Sequence, residues 1–279
     1  SIELGLTNSF MDIIWSLALI RTFTYGHSLS TLPGSCDLAE YLPDKNQLSD
    51  TNMDVVLAMD LKDGYVVHGS SGNRDAYAPL TWGLSPSAEP SAYLAALAPK
   101  YLYVADLDRI GMCGDHTELI LQLSERVAGL WADRGCSIHE EYLAGAAIHN
   151  IVGTETIYAT LEEFCSGYLS IDVKDGCVIG NAFPAGTSPA DALRAADDTA
   201  FDGCILLNIS SVGTSTGIDP AEVVRLRSCS EKKLYYGGGI RSIEDLHTLA
   251  DAGFDGAIVA TAVHKGNIPL EIVRVGSFC

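Results

Sequence analysis

From residue 54 onward, short apolar runs alternate with segments whose apolar residues recur at helical spacing. The runs are "VVLAMD" (55–60), "YLYVAD" (101–106), "GLWAD" (129–133) and "HNIVG" (149–153), then "YLSID" (168–172), "GCILLN" (203–208), "KLYYGG" (233–238) and "GAIVA" (256–260). Most are continuous rather than alternating, the pattern of strands covered on both faces of a parallel sheet. Between them "HTELILQLSERV" (116–127), "SPADALRAADDT" (188–199) and "SIEDLHTLADAG" (242–253) predict helices. In the last, Ser242 followed by Asp245 approximates a capping box, and Gly253 marks the stop. Eight strands with helices between them predict a (β/α)8 TIM barrel over residues 54–279, with a doubly wound open sheet as the alternative.

The pattern also repeats itself. "MDLKDGYVV" (59–67) and "IDVKDGCVI" (171–179) superimpose Asp60 on Asp172. In the same order "ADLDRIG" (105–111) falls over "LNISSVG" (207–213), "WADRG" (131–135) over "YGGGI" (236–240), and "IVGTET" (151–156) over "IVATAV" (258–263). Strands 1–4 and 5–8 are therefore expected to be related half-barrels. Such a barrel sets Asp60 and Asp172 opposite one another at its C-terminal mouth, where the functional groups of this fold collect. Asp63 and Asp175, each inside a Lys-Asp-Gly segment, fit turns.

Composition narrows the partners. The chain has 279 residues, 47% of them apolar, and a net charge of −19, which disfavours nucleic acid and anionic membranes because both require clustered Lys and Arg. An anionic ligand must then be held by backbone N–H groups and a few local cations. The eight cysteines include no Cys-x-x-Cys pair and suit free thiols of a reducing compartment, the cytoplasm. Two Cys-x-x-His pairs, Cys113/His116 and Cys136/His139, lack a second pair at zinc spacing, so no metal is expected. Residues 1–53 form an extension and connector. Within it "IIWSLALI" (13–20) is far short of the ~20 apolar residues that span a bilayer, and predicts a short amphipathic helix.

The segments "AMDLKDGYVV", "VADLD", "SIDVKDG" and "YYGGGIRSIEDLHTLADAGFDGAIVATAVHKG" resemble the histidine-biosynthesis barrel family, which includes ProFAR isomerase and the cyclase subunit of imidazole glycerol phosphate synthase. The resemblance covers roughly 54–268 and is most specific across strands 7 and 8. It implies an Amadori rearrangement, aminoaldose to aminoketose, of a phosphoribosyl compound, with Asp60 and Asp172 dividing the acid and base work and no cofactor. It implies two phosphate sites. One comprises Gly237, Gly238, Gly239, Ser242, Ala260 and Thr261; its half-barrel mate comprises Gly135, Gly153 and Thr154. Asp106, Asp108, Asp133, Arg134, Asn208 and Thr214 are expected to line the substrate, a small anionic phosphorylated metabolite. No signal specifies an oligomeric state.

The chain departs from the family pattern at the strand-6 loop, where Asp-Gly-Thr is replaced by Val212-Gly213-Thr214. Leu207-Asn208 ends that strand, Asp133 and Arg134 replace the glycines after strand 3, and His68 is the basic residue after the first hairpin. These changes imply a divergent, isomerase-related member. The alternatives are a cyclase or lyase on a related phosphoribosyl substrate, and a non-catalytic phosphate-ligand-binding barrel subunit.

Overall fold

A computed structural model describes residues 52–69, 74–215 and 217–279, all within one compact unit, Ser49–Cys279. The helix expected at 13–20 lies outside the described residues. Eight parallel strands form the frame: β1 (Met53–Lys62), β3 (Tyr101–Asp106), β4 (Gly129–Asp133), β5 (Ile148–Gly153), β6 (Tyr168–Lys174), β8 (Gly203–Asn208), β9 (Lys233–Gly237) and β10 (Gly256–Val259). Each pairs with the next, and β10 returns to β1 in the register Asp54–Gly256 to Leu57–Val259, so the sheet closes. All eight strands lie where the apolar runs place them. An antiparallel β11 (Ser277–Phe278) joins the start of β1.

Alternation along the strands sorts two cores. Val55, Leu57 and Met59 of β1, Leu102 and Val104 of β3, and Leu130 and Ala132 of β4 pack outward into the layer beneath the helices. Val56, Tyr103, Trp131, Ile151, Tyr168, Ile205, Tyr235 and Ile258 fill the barrel itself. This filling is unusually aromatic for a fold whose interior favours branched aliphatics. Trp131 sits 5.2 Å from the Tyr235 ring and 4.6 Å from that of His149.

The outer layer holds α1 (Pro90–Leu97), α2 (Leu107–Ile110), α3 (Thr117–Ser124), α4 (Pro189–Asp197), α5 (Pro220–Arg227), α6 (Ile243–Asp251), α7 (Thr261–His264) and α8 (Leu270–Val275). Three of these start with proline at the first helical position after a capping side chain. Glu89 accepts from Ser91 and Ala92 N–H, Ser188 from Asp191 N–H, and Asp219 from Ala221 N–H. Proline lacks an N–H that would be orphaned there anyway. The expected capping box at Ser242 is not formed: Asp245 instead accepts from the Arg241 N–H at 2.8 Å. The helices are unevenly distributed, with two each after β3 and β10 and none after β4 or β5. The connections after β4 and β5 contain only the 3-10 turns His139–Glu141 and Leu161–Glu163.

The repeated Lys-Asp-Gly segments form matched hairpins. β2 (Tyr65–Val67) folds back on β1 and β7 (Cys177–Val178) on β6. Asp63 and Gly64 have φ of 52° and 80°, and Asp175 and Gly176 have 51° and 79°. Two successive positive φ values make a type I′ turn, whose twist suits adjoining strands. The helical turn that follows the next strand of each half also fastens its turn in the same way. Asp108 accepts the Asp63 N–H at 2.7 Å, and Ser210, which falls over Asp108 in the repeat, accepts the Asp175 N–H at 3.1 Å. The half-barrels thus share a hydrogen bond as well as a sequence pattern.

A Cβ at Gly64 or Gly176 would meet nothing within 4 Å, so a substitution there tests backbone conformation alone. Gly64→Ala and Gly176→Ala are each expected to lower stability by ~1 kcal/mol, to a similar extent. Denaturant unfolding measures this; a loss at only one site would show that the two turns are not equivalent.

Candidate active site

Side-chain parity determines what reaches the mouth. Asp60, Asp133 and Asp172 share the inward register of Val56, Trp131 and Tyr168 on their own strands, and all three line cavities at the C-terminal end. Asp106, Arg134 and Asn208 have the opposite parity and line neither cavity. The larger cavity, about 1140 Å³ with its open mouth included, is lined by Asp60, His68, Tyr93, Tyr103, Gly238, Gly239, Ala260 and Thr261 among others. The smaller, about 270 Å³, holds Asp172, Gly153, Glu155 and Thr156. Arg74, Ile110, Asp133, Leu207 and Ile209 border both, so Asp133 stands between the compartments of Asp60 and Asp172.

The three carboxyls are held differently. Asp172 accepts from the Ser170 hydroxyl at 2.8 Å, the Glu155 N–H at 3.1 Å and the Thr154 hydroxyl at 3.4 Å. Burial, followed by repulsion from Asp133, still pushes its pKa up to about 7. No hydrogen bond to the Asp60 carboxyl is found among the described residues. Burial lifts it to about 6, with Arg74 pulling down and Asp133 pushing up. Asp133 is likewise raised by burial, although the Tyr103 hydroxyl donates to it at 2.7 Å. Arg74, the one Lys or Arg among the described lining residues, makes a two-pronged pair with Glu155 at 3.1 and 2.6 Å.

A second group of rings lines the Asp60 side. Leu84 N–H donates to His264 Nδ1 at 3.3 Å, so that nitrogen carries no proton, and Nε2 faces the Tyr93 hydroxyl at 2.8 Å. Burial and nearby His68 lower His264 to about 4, leaving it neutral at neutral pH. His68 is lowered by burial and by Lys265, and its ring meets Trp82 edge-on at 5.0 Å.

The residues expected to bind phosphate separate into two groups. Gly238, Gly239, Ala260 and Thr261 gather on the larger cavity, whereas Gly237 and Ser242 do not line it. Gly238 has φ of 92°, and a Cβ there would lie 2.2 Å from the Asn208 carbonyl oxygen, so only glycine fits. In the other half only Gly153 lines a cavity. The Thr154 hydroxyl is engaged with Asp172, and the Gly135 N–H points at Asp133 Oδ1 at 3.5 Å.

Several residues expected to line the substrate have other work. Asp106 accepts from the His116 backbone and ring at 2.9 Å each and from Arg109 N–H, capping α2. Asp108 holds the first hairpin. Arg134 turns outward to Asp115, Thr117 and the Glu141 carbonyl. Asn208 bonds the Tyr236 hydroxyl, and Thr214 donates to the Ser211 carbonyl at 2.7 Å. Neither Cys-x-x-His pair closes: Cys113 contacts Asp108, while His139 lies 3.2 Å from Cys165. Among the described residues no group of three His, Cys, Asp or Glu could hold a metal, and no helix is long and apolar enough to cross a membrane.

Arg74, Tyr93, Glu155 and His264 were not singled out in the sequence. They reach the mouth from loops or from across the fold and carry no local signal. Tyr103 had one, its parity with Trp131. Val212 sits on the same side as Asp60. A Cβ at Gly69 would lie 2.7 Å from Asp60 Oδ2 and 3.1 Å from Val212 Cγ1. The Gly213 backbone in turn packs against the Gly69 carbonyl, so the β8 loop closes directly over the loop after β2.

Because Asp60 and Asp172 keep their protons to higher pH folded than unfolded, the folded state binds more protons between their ordinary range and about 6 to 7. Their contribution to stability is present at low pH and is lost as pH rises through these values. Asp172→Asn is therefore expected to raise stability at about pH 8, by ~2 kcal/mol, with the gain shrinking toward about pH 4. Unfolding curves across pH check this; a pH-independent effect contradicts the assignment.

Against this geometry, the family model for histidine biosynthesis protein matches residues 54–269. The uncharacterised protein MJ0703 of Methanocaldococcus jannaschii is 32% identical over 228 residues, 78% of this chain and 96% of that one. The 1-(5-phosphoribosyl)-5-((5-phosphoribosylamino)methylideneamino)imidazole-4-carboxamide isomerase (ProFAR isomerase) of Thermus thermophilus is 27% identical over 235 residues, 78% of this chain and 97% of the enzyme. The isomerase of the same name from Myxococcus xanthus is 27% identical over 185 residues, covering 61% and 78%. With its closed barrel, its paired half-barrel hairpins and a match across the whole frame, the chain belongs to the histidine biosynthesis protein family, as a divergent member.

Proposed function

We propose that this barrel is an acid–base isomerase that converts a phosphorylated aminoaldose of the ribosyl class to its aminoketose. The observation that carries the reading is the pair Asp60 and Asp172: equivalent positions of duplicated strands, both inward at the mouth, both lifted toward neutrality by burial. A carboxyl near about 7 retains its proton at neutral pH and serves as acid, and one near about 6 has released it and serves as base. Asp172 then protonates the ring oxygen as the C1–O bond breaks and the nitrogen lone pair forms the C=N bond. Asp60 removes the proton from C2, and those electrons form C1=C2 and neutralise the iminium. Protonated Asp60 returns a proton to C1 while the C2 hydroxyl gives its proton to the Asp172 carboxylate and becomes C2=O, which yields the ketose and restores both groups. The oxidation at C2 balances the reduction at C1, so no external redox partner is required.

The substrate phosphate is assigned to the end formed by Gly238, Gly239, Ala260 and Thr261, where backbone N–H groups can approach it closely. The family's named isomerases support a phosphoribosyl substrate. A cytoplasmic setting suits this metabolism. A second reading, a barrel that binds such a ligand without turning it over, draws on Val212, an apolar side chain beside Asp60 where related barrels carry a carboxylate.

The test is turnover of ProFAR and of smaller phosphoribosyl aminoaldoses in D2O, followed as deuterium entering C1 of the product. Asp60→Asn and Asp172→Asn are each expected to lower the rate by ~10²-fold or more. The rate should rise as pH passes about 6 and fall beyond about 7, as the base and then the acid ionise. Turnover surviving both substitutions overturns the mechanism; ligand binding without any exchange supports the non-catalytic reading.

A further inference from the structure

The two ends of the mouth treat charge in opposite ways. At the Gly238–Gly239 end the chain runs at φ of 92° and 86°, and both glycines line the larger cavity. The equivalent turn after β4 carries Asp133, more than nine-tenths buried and bordering both cavities. Several of the donors there already face the protein's own oxygens. The Gly135 N–H faces Asp133 Oδ1, and the Glu155 N–H and Thr154 hydroxyl face Asp172. The N–H groups of Thr156 and Ile157 both reach the Gly153 carbonyl at 3.1 Å.

The cations are engaged as well. Arg134 has outward parity, and its guanidinium reaches Asp115, Thr117 and the Glu141 carbonyl. Arg74 is held in two-pronged fashion by Glu155. A phosphate arriving here would find Asp133, Asp172 and Glu155 around it and one guanidinium already neutralised. A nitrogen that donates an N–H would find the reverse. Tyr103 occupies Asp133 Oδ2 at 2.7 Å, while among the described residues Oδ1 has only the long 3.5 Å contact from Gly135, leaving it open to a donor from the cavity.

We infer that the Asp133 end of the mouth binds an amine rather than a second phosphate, so that the substrate is a phosphomonoester with its phosphate at Gly238–Gly239 and an amine nitrogen at Asp133 Oδ1. This rests on the reading of the mouth as a phosphosugar site and narrows the substrate class within it. Asp133 is then the residue that separates this chain's ligand from a bisphosphate.

Calorimetric titration of the full chain tests the inference with four probes: inorganic phosphate, glucose 6-phosphate, glucosamine 6-phosphate and glucose 1,6-bisphosphate. Glucosamine 6-phosphate is expected to bind about tenfold more tightly than glucose 6-phosphate, and the bisphosphate no more tightly than the monophosphate. The preference for the amino sugar should vanish in Asp133→Asn. The ranking in the unmodified chain decides the matter even if that variant does not fold. Equal affinity for the amino and hydroxy sugars, or a bisphosphate that binds about tenfold better than the monophosphate, overturns the inference while leaving the phosphosugar reading intact. Failure of all four probes to bind removes the phosphosugar reading itself, and the inference with it.

Discussion

The site depends on the closure of β10 onto β1 in one fixed register. A closed sheet has only an inside and an outside, and a strand sends successive side chains to each in turn. Once Val56, Trp131 and Tyr168 are drawn inside by the apolar interior, Asp60, Asp133 and Asp172 have no alternative to the mouth. Their neighbours one residue along, including Arg134, are carried outward by the same rule. A one-residue slip in any of these strands would exchange a mouth carboxylate for a core side chain.

Bringing three carboxyls into one apolar opening carries an electrostatic penalty, and the surrounding structure shows how it is managed. Asp172 is surrounded by donors, Asp133 is held by the Tyr103 hydroxyl, and the Asp60 carboxyl has no hydrogen bond among the described residues. Asp60 and Asp172 therefore titrate near neutrality for different balances of the same causes, which is the condition for one to give a proton while the other takes it. Arg74, which borders both compartments, and Glu155, on the smaller one, offset each other.

The duplication supplied two similar halves, and the chain has kept the architecture of both while letting their chemistry diverge. The hairpins agree to within a degree of φ, and each is fastened by the equivalent residue just after the following strand, Asp108 in one half and Ser210 in the other. At the mouth the agreement ends. One half presents glycine backbone, and the other presents Asp133 with several of its surrounding donors engaged. Val212, packed against the Asp60 loop, is a further departure on the side that kept its glycines.

Much of this was legible in the order of residues. Local hydrophobic runs gave eight strands in the right places, because burial on both faces demands them, and the repeated Asp-Lys-Asp-Gly gave both hairpins, because a type I′ turn demands Asp-Gly. The inward placing of Asp60 and Asp172 followed from the repeat. The contrasting fates of Asp133 and Arg134 were in principle readable too, through the parity of Trp131. The two missing helices after β4 and β5, the arrival of Arg74 and His264 at the mouth, and the partners of Thr154 were decided only by tertiary structure. Periodicity acts between residues a few positions apart. The pairing of Glu155 with Arg74, or of His264 with Tyr93, exists only after the barrel has closed and brought distant loops to the same rim.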